Sequence, residues 1–241
     1  MPFFLSKEKI MENVYIYIIL FFIYSFLGWS IEVFREFQSK KHFVNRGFLI
    51  GPICPIYGVG GVLMLLTLSK YKDSPIVLFC MSIIIFSILE YFTSYIMEKL
   101  FKARWWDYSN NKYNLNGRIC AETMIPFGLL GMFVIYILNP LLVKLLSYIP
   151  TNIIMIVAII LVLIFVIDYI FSFNIILGFK GTLLKLEKDS TEEITRKVKD
   201  KLLKGNYLNK RLIKAFPNLT ETREHFKYRK EKIIEELKKY I

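Results

Sequence analysis

The chain is dominated by long apolar blocks that neither alternate in polarity along a strand nor keep the 3.6-residue rhythm of an amphipathic surface helix. Five segments are long enough to cross about 30 Å of hydrocarbon: residues 13–34, 49–68, 75–97, 123–146 and 152–177. In lipid every backbone polar group needs an internal partner, so unbroken apolar blocks of this length become helices. The expected fold is an all-α polytopic membrane bundle of five spans over residues 1–178, followed by a short helical cytoplasmic tail over residues 179–241. The 55% apolar content is the same fact in bulk, above the roughly 45–50% of soluble domains. A disordered chain is excluded, and a soluble or nucleic-acid-binding domain is disfavoured. The first block does not read as a cleavable signal, because Lys7, Glu8, Lys9 and Glu12 make its leading segment neutral.

The net charge of +12 is explained by where it sits. Positive residues favour cytoplasmic loops. Arg35, Lys40, Lys41 and Arg46 follow the first span. Lys99, Lys102, Arg104, Lys112 and Arg118 follow the third, and the tail adds 18 Lys and Arg against 10 Asp and Glu. The other side holds Lys7, Lys9, Lys70, Lys72 and Lys144. The N-terminus is therefore expected outside and the C-terminus inside. Trp29, Trp105 and Trp106 fall near the inner interface, which suits indole rings. The tail reads as two or three short helices, with capping-box spacing at Ser190–Glu193, a break at Pro217 and a last helix capped by Asn218. Its cations suit a solvated helical face or docking to anionic headgroups.

Three cysteines, Cys54, Cys80 and Cys120, make no disulfide framework. With two histidines, His42 and His225, no zinc-ligand spacing arises and no metal or cofactor is expected.

The second span begins awkwardly. Gly47, Gly51, Pro52 and Pro55 crowd its start, and proline removes a backbone donor. A broken lead-in is expected, with regular helix from about Ile56.

Acidic residues inside the spans are the sharpest functional signal, since ionisable groups in hydrocarbon cost several kcal/mol and face the bundle interior. Glu32, Glu90 and Asp168 lie within spans, and Glu98 and Glu122 lie at span ends; all fall in the expected cytoplasmic half. Helical spacing puts Ser25, Gly28 and Glu32 on one stripe, Ser87, Glu90, Ser94 and Glu98 on another, and Asp168 one turn from Ser172. Arg46 and Arg118 end the two inner connections and can face those carboxylates. The arrangement suits a polar cavity open to the cytoplasm. The alternative, less favoured, is a buried ion-pair network that only fixes helix register. In the inner connection, Trp105-Trp106-Asp107-Tyr108 reads either as an interfacial anchor or as a headgroup-binding lid. The candidate substrate-binding residues are Glu32, Arg46, Glu90, Glu98, Asp107, Arg118 and Asp168. No catalytic residue can be named.

These motifs also carry a resemblance. Gly28-Trp29-Ser30-Ile31-Glu32, then Asn45 to Pro52, Pro55-Ile56-Tyr57-Gly58, Glu90-Tyr91, Trp105 to Ser109 and Asn116 to Cys120 resemble the bacterial family labelled putative ABC-transporter permease, CmpB type, which has small eukaryotic transmembrane relatives. The resemblance covers roughly residues 14–180 and extends to Arg211–Leu219 in the tail. It implies a multi-pass protein of the bacterial cell membrane. The chain has no Walker A motif, so the resemblance also implies a separate ATPase subunit, and five spans per chain imply a homodimer.

Three function classes stay open. A transport component would bind a polar or cationic solute or a lipid headgroup at Glu32, Glu90 and Arg118, or relay protons there, since paired carboxylates in a low-dielectric site raise one pKa. A membrane-embedded enzyme would act on a lipid or isoprenoid phosphate from the cytoplasmic leaflet, with a glutamate as acid or base and Arg46 and Arg118 on the phosphate. A non-catalytic scaffold or regulator would use its apolar faces for partner helices.

Overall fold

The computed structural model describes residues 7–188 other than 42, 46 and 102–104. The predicted helices of the tail beyond Lys188 and the candidate Arg46 lie outside the described residues. The elements run α1 (Lys7–Lys40), α2 (Pro55–Leu68), α3 (Pro75–Phe101), β1 (Asn114–Leu115), β2 (Ile119–Cys120), α4 (Ala121–Phe133), α5 (Asn139–Leu146) and α6 (Thr151–Lys188). The chain divides into two compact units. One holds Met1–Thr93 and Tyr108–Asn174, and the other holds Ser94–Asp107 with the chain from Ile175 onward.

Among the described residues, four helical stretches are long and apolar enough to cross a membrane: Val14–Ser39, Pro75–Leu100, Ala121–Leu146 and Thr151–Ile175. The protein is a membrane protein. The remaining apolar block differs from the rest. Its helix, α2, has 14 residues, or about 21 Å at 1.5 Å per residue, which is less than the hydrocarbon thickness. The cause lies in the sequence of its lead-in. Pro52 lacks a backbone donor, while Pro55 sits in the first turn of α2, where a missing N–H costs nothing.

Non-helical chain beside apolar helices needs its polar groups answered. Here they are. The Cys54 N–H donates to the Ser25 carbonyl on α1 at 3.0 Å. The Asn45 side chain accepts from the Trp29 indole at 2.8 Å and from the Gly47 N–H at 3.0 Å, and donates to the Ile50 carbonyl at 2.9 Å. The N–H groups of Ile50 and Gly51 both donate to Asp168 on α6.

α2 then runs back along α1. As α2 numbers rise, their α1 neighbours fall: Tyr57 lies on Gly28, Gly58 on Ser25 and Phe21, and Gly61 on Tyr24. A Cβ at Gly28 would overlap the Tyr57 ring, and one at Gly58 would overlap Ser25 Oγ. Small residues thus set the helix separation, as in other membrane helix pairs. The Ser25–Gly28–Glu32 stripe anticipated from spacing is the face of α1 that meets α2.

Between α4 and α5, Val134–Leu138 forms a π turn, with the Asn139 N–H donating to the Val134 carbonyl. Pro140 follows and cannot donate to the turn before it, so the helical ladder loosens one residue ahead of it. The core of the first unit packs Leu20, Tyr24, Met64, Leu68, Leu78, Ile135 and Ala158, drawn from α1, α2, α3, the π turn and α6. α6 buries a narrow stripe through Ile154, Ala158 and Ser172 and leaves Ile160, Leu163, Ile164, Ile167 and Phe171 exposed, a face suited to lipid tails.

β1 and β2 pair antiparallel, Leu115 opposite Ile119 and Asn114 opposite Cys120. Three residues, Asn116-Gly117-Arg118, join the strands; Asn116 and Gly117 take φ of 55° and 67°, and the Arg118 N–H closes the turn on the Leu115 carbonyl at 3.0 Å.

Candidate functional site

Four candidate residues, Glu32, Glu90, Arg118 and Asp168, lie in the first unit. Glu32, half-buried at the continuation of the small-residue stripe, accepts a 2.6 Å hydrogen bond from the Tyr57 hydroxyl. Glu90, on α3, accepts one from the Tyr108 hydroxyl at 3.0 Å, through Oε1. Its other oxygen, Oε2, is buried and has no hydrogen-bond partner among the described residues. The two carboxylates lie within electrostatic range of each other, and Arg35 acts on both phenols. Burial, and then the charge and hydrogen bond of Glu90, hold the Tyr108 phenol well above the usual tyrosine range, against the pull of Arg35. Tyr108 is therefore a standing donor to Glu90.

Asp168 has a different setting. Its Oδ1 accepts from the Ile50 N–H at 2.9 Å and from Ser172 Oγ at 2.9 Å, and its Oδ2 accepts from the Gly51 N–H at 2.8 Å. Both oxygens are engaged with the lead-in or its support. The carboxylate does here what a capping residue does for orphan N–H groups, across a separation of 117 residues.

Arg118 leaves the turn of the hairpin with its guanidinium 5.6 Å from the centre of the Tyr91 ring, a cation–π distance. Asn116 donates to the Tyr91 hydroxyl at 3.0 Å. Glu122, in the first turn of α4, accepts from Asn111 at 2.7 Å. The remaining candidates, Glu98 and Asp107, belong to the second unit, where Glu98 is half-buried and Asp107 exposed. Among the described residues no group of three His, Cys, Asp or Glu side chains gathers as a metal site would require.

The site contains residues that the sequence reading passed over. Tyr57 and Tyr108 supply its donors and Arg35 its nearby cation. Glu36 is 7% exposed although charged, one turn beyond Glu32. Its signal was available, since Glu36 continues the Ser25–Gly28–Glu32 stripe by a further i+4 step. The Asn-Gly turn was also legible as a hairpin. The phenols carried no such mark, because nothing local says which carboxylate a tyrosine will meet.

The sequence pattern of the family described as "Putative ABC-transporter type IV" matches residues 19–173. The chain belongs to that family. No curated protein and no solved structure matches it. The matched region of this ABC-transporter type IV family member takes in every candidate residue, from Glu32 to Asp168, with the lead-in and the hairpin. The basic tail falls outside it. Chemically, the cluster offers two carboxylates already bound to phenols, one of them with a buried oxygen that has no hydrogen-bond partner among the described residues. That suits holding a proton or a cationic or hydroxyl-bearing group.

Proposed function

We propose that this chain is the membrane-spanning component of a transporter. In this reading it crosses the membrane five times, with the N-terminus outside and the C-terminus in the cytoplasm. The lead-in and α2 together make the second crossing. This topology keeps 27 of the 32 Lys and Arg on one side, as the positive-inside rule asks. Glu32 and Glu90, with Tyr57 and Tyr108, line a polar vestibule on the cytoplasmic side that binds a polar solute or a lipid headgroup. Arg118 stands at its mouth, while Asp168 supports the lead-in that shapes it. Energy comes from a separate ATPase subunit, and two copies of the chain form the permease.

The observation that carries this reading is Glu90 Oε2, buried and unpartnered beside a second carboxylate. A carboxylate oxygen left dry is costly, and a ligand group on it removes that cost. Membership of a family described as a putative ABC transporter supports the transporter reading.

The test uses Glu90→Gln and Arg118→Ala, first scored for monodisperse expression in detergent. Folded variants that fail to complement a deletion strain with a phenotype support the site. Folded variants that complement fully overturn it.

A further inference from the structure

We propose that Ser87 and Glu90 on α3 together hold the ammonium group of a primary amine, carried either by a free alkylamine or by a lipid headgroup. The proposal rests on the vestibule reading above and names the class of ligand that the vestibule takes.

The first observation is Ser87 Oγ. Inside a helix, a serine or threonine hydroxyl commonly bonds the carbonyl four residues back. Ser30, Thr67 and Ser82 do so here, at 2.8, 2.7 and 2.6 Å. Ser87 does not. Its Oγ is buried and has no hydrogen-bond partner among the described residues, a costly state for a hydroxyl.

Glu90 Oε2 shares that condition one turn further along the same helix. Residues i and i+3 are neighbours on one helix face, about 5–6 Å apart at Cβ, and long helical side chains lean back over the preceding turn. The two oxygens therefore share one patch of α3, and they do not bond each other. A single group between them can serve both.

Charge and hydrogen-bonding capacity select that group. An ionised carboxylate only accepts, so the ligand must donate. Glu32 lies within electrostatic range of Glu90, and the two together repel an anion. Arg35 is exposed, where water and salt screen its charge, so a buried cation is still called for. A primary ammonium brings one positive charge and three N–H donors, enough for Oε2, Ser87 Oγ and one further acceptor. A quaternary ammonium carries the same charge but no N–H and can bond neither oxygen. A divalent metal ion needs more ligands than the described residues gather, since no three His, Cys, Asp or Glu side chains come together among them.

The test follows thermal unfolding of the full-length chain in detergent with ethylamine hydrochloride, tetramethylammonium chloride or sodium chloride at equal concentrations. Ethylamine should raise the midpoint progressively, by mass action, and the other two salts should not. Ser87→Ala and Glu90→Gln should each weaken ethylamine binding at least about tenfold, from the loss of one bond to a charged group. Ser87→Thr keeps the hydroxyl and should restore the shift, and Thr67→Ala should leave it unchanged. Without amine, Ser87→Ala should unfold no earlier than wild type, because it removes a dry hydroxyl; a purely structural serine would cost stability there instead. A second arm compares nanodiscs of phosphatidylethanolamine and phosphatidylcholine. Stabilisation by phosphatidylethanolamine that Ser87→Ala abolishes assigns a headgroup, and a response to ethylamine alone assigns a free amine. No Ser87-dependent shift from either source overturns the proposal, as does an equal shift from tetramethylammonium or sodium. If Glu90→Gln then still fails to complement, the vestibule stands and only the amine assignment falls.

Discussion

The carboxylate of Asp168 on α6 receives the backbone N–H of Gly51 at 2.8 Å, and with it the N–H of Ile50 at 2.9 Å. An acid in a membrane helix is ordinarily a sign of function. Here the irregular chain ahead of α2 gives it a structural partner, and the acid and the broken lead-in explain each other. Asp168→Ala should lower unfolding stability in detergent by about 1–3 kcal/mol, from the loss of three bonds to a charged acceptor. Asp168→Asn retains one acceptor oxygen and should fall between that variant and wild type. Thermal unfolding followed by size-exclusion chromatography measures both; an Asp168→Ala chain as stable as wild type would sink the capping role.

The contact between Gly28 and the Tyr57 ring allows no added carbon. Gly28→Ala should push α2 from α1 at a cost of about 1–3 kcal/mol. Combining it with Tyr57→Ala should recover part of the loss, since the pair is in contact and non-additive. A double variant no better than the sum of its parts would refute this packing.

Tyr57 and Glu32 share the shorter of the two phenol–carboxylate bonds. A double-mutant cycle of Tyr57→Phe and Glu32→Ala should give a coupling of about 0.5–2 kcal/mol. Additive losses would mean the bond contributes nothing net.

The proposed topology places the loop at Asp73 and the hairpin tip at Lys112 on opposite sides of the membrane. In a chain lacking Cys54, Cys80 and Cys120, Asp73→Cys should react with an impermeant thiol reagent added to intact cells. Lys112→Cys should react once the inner face is opened. If the lead-in and α2 turned back without crossing, Asp73→Cys would label from the side of the residues that follow α1, and Lys112→Cys, one crossing further on along α3, from the opposite side.

Much of the fold was legible because lipid restricts the options. The apolar blocks at residues 75–97, 123–146 and 152–177 became helices within a few residues of the expected bounds, except where α6 continues to Lys188. The block at 49–68 became a broken lead-in and a helix from Pro55, one residue before the expected Ile56. Its proline spacing gave this away, but not that the helix would be shorter than a full crossing. At the site, the periodicity of Ser25, Gly28 and Glu32 identified a shared face. Glu36 was missed although it obeys the same period.

By itself the sequence determined the apolar helix bundle, the asymmetry of its cations and the faces on which its acids lie. These follow from local rules: hydropathy, loop charge and 3.6-residue periodicity. Tertiary structure alone decided the partners, which stand 25 residues apart for Tyr57 and Glu32, 18 for Tyr108 and Glu90, and 117 for Gly51 and Asp168. Periodicity fixes the direction a side chain leaves its own helix, but the group it meets depends on how the other helices pack. That packing separated three similar acids, giving Asp168 to the backbone of the lead-in and Glu32 and Glu90 each to a tyrosine hydroxyl.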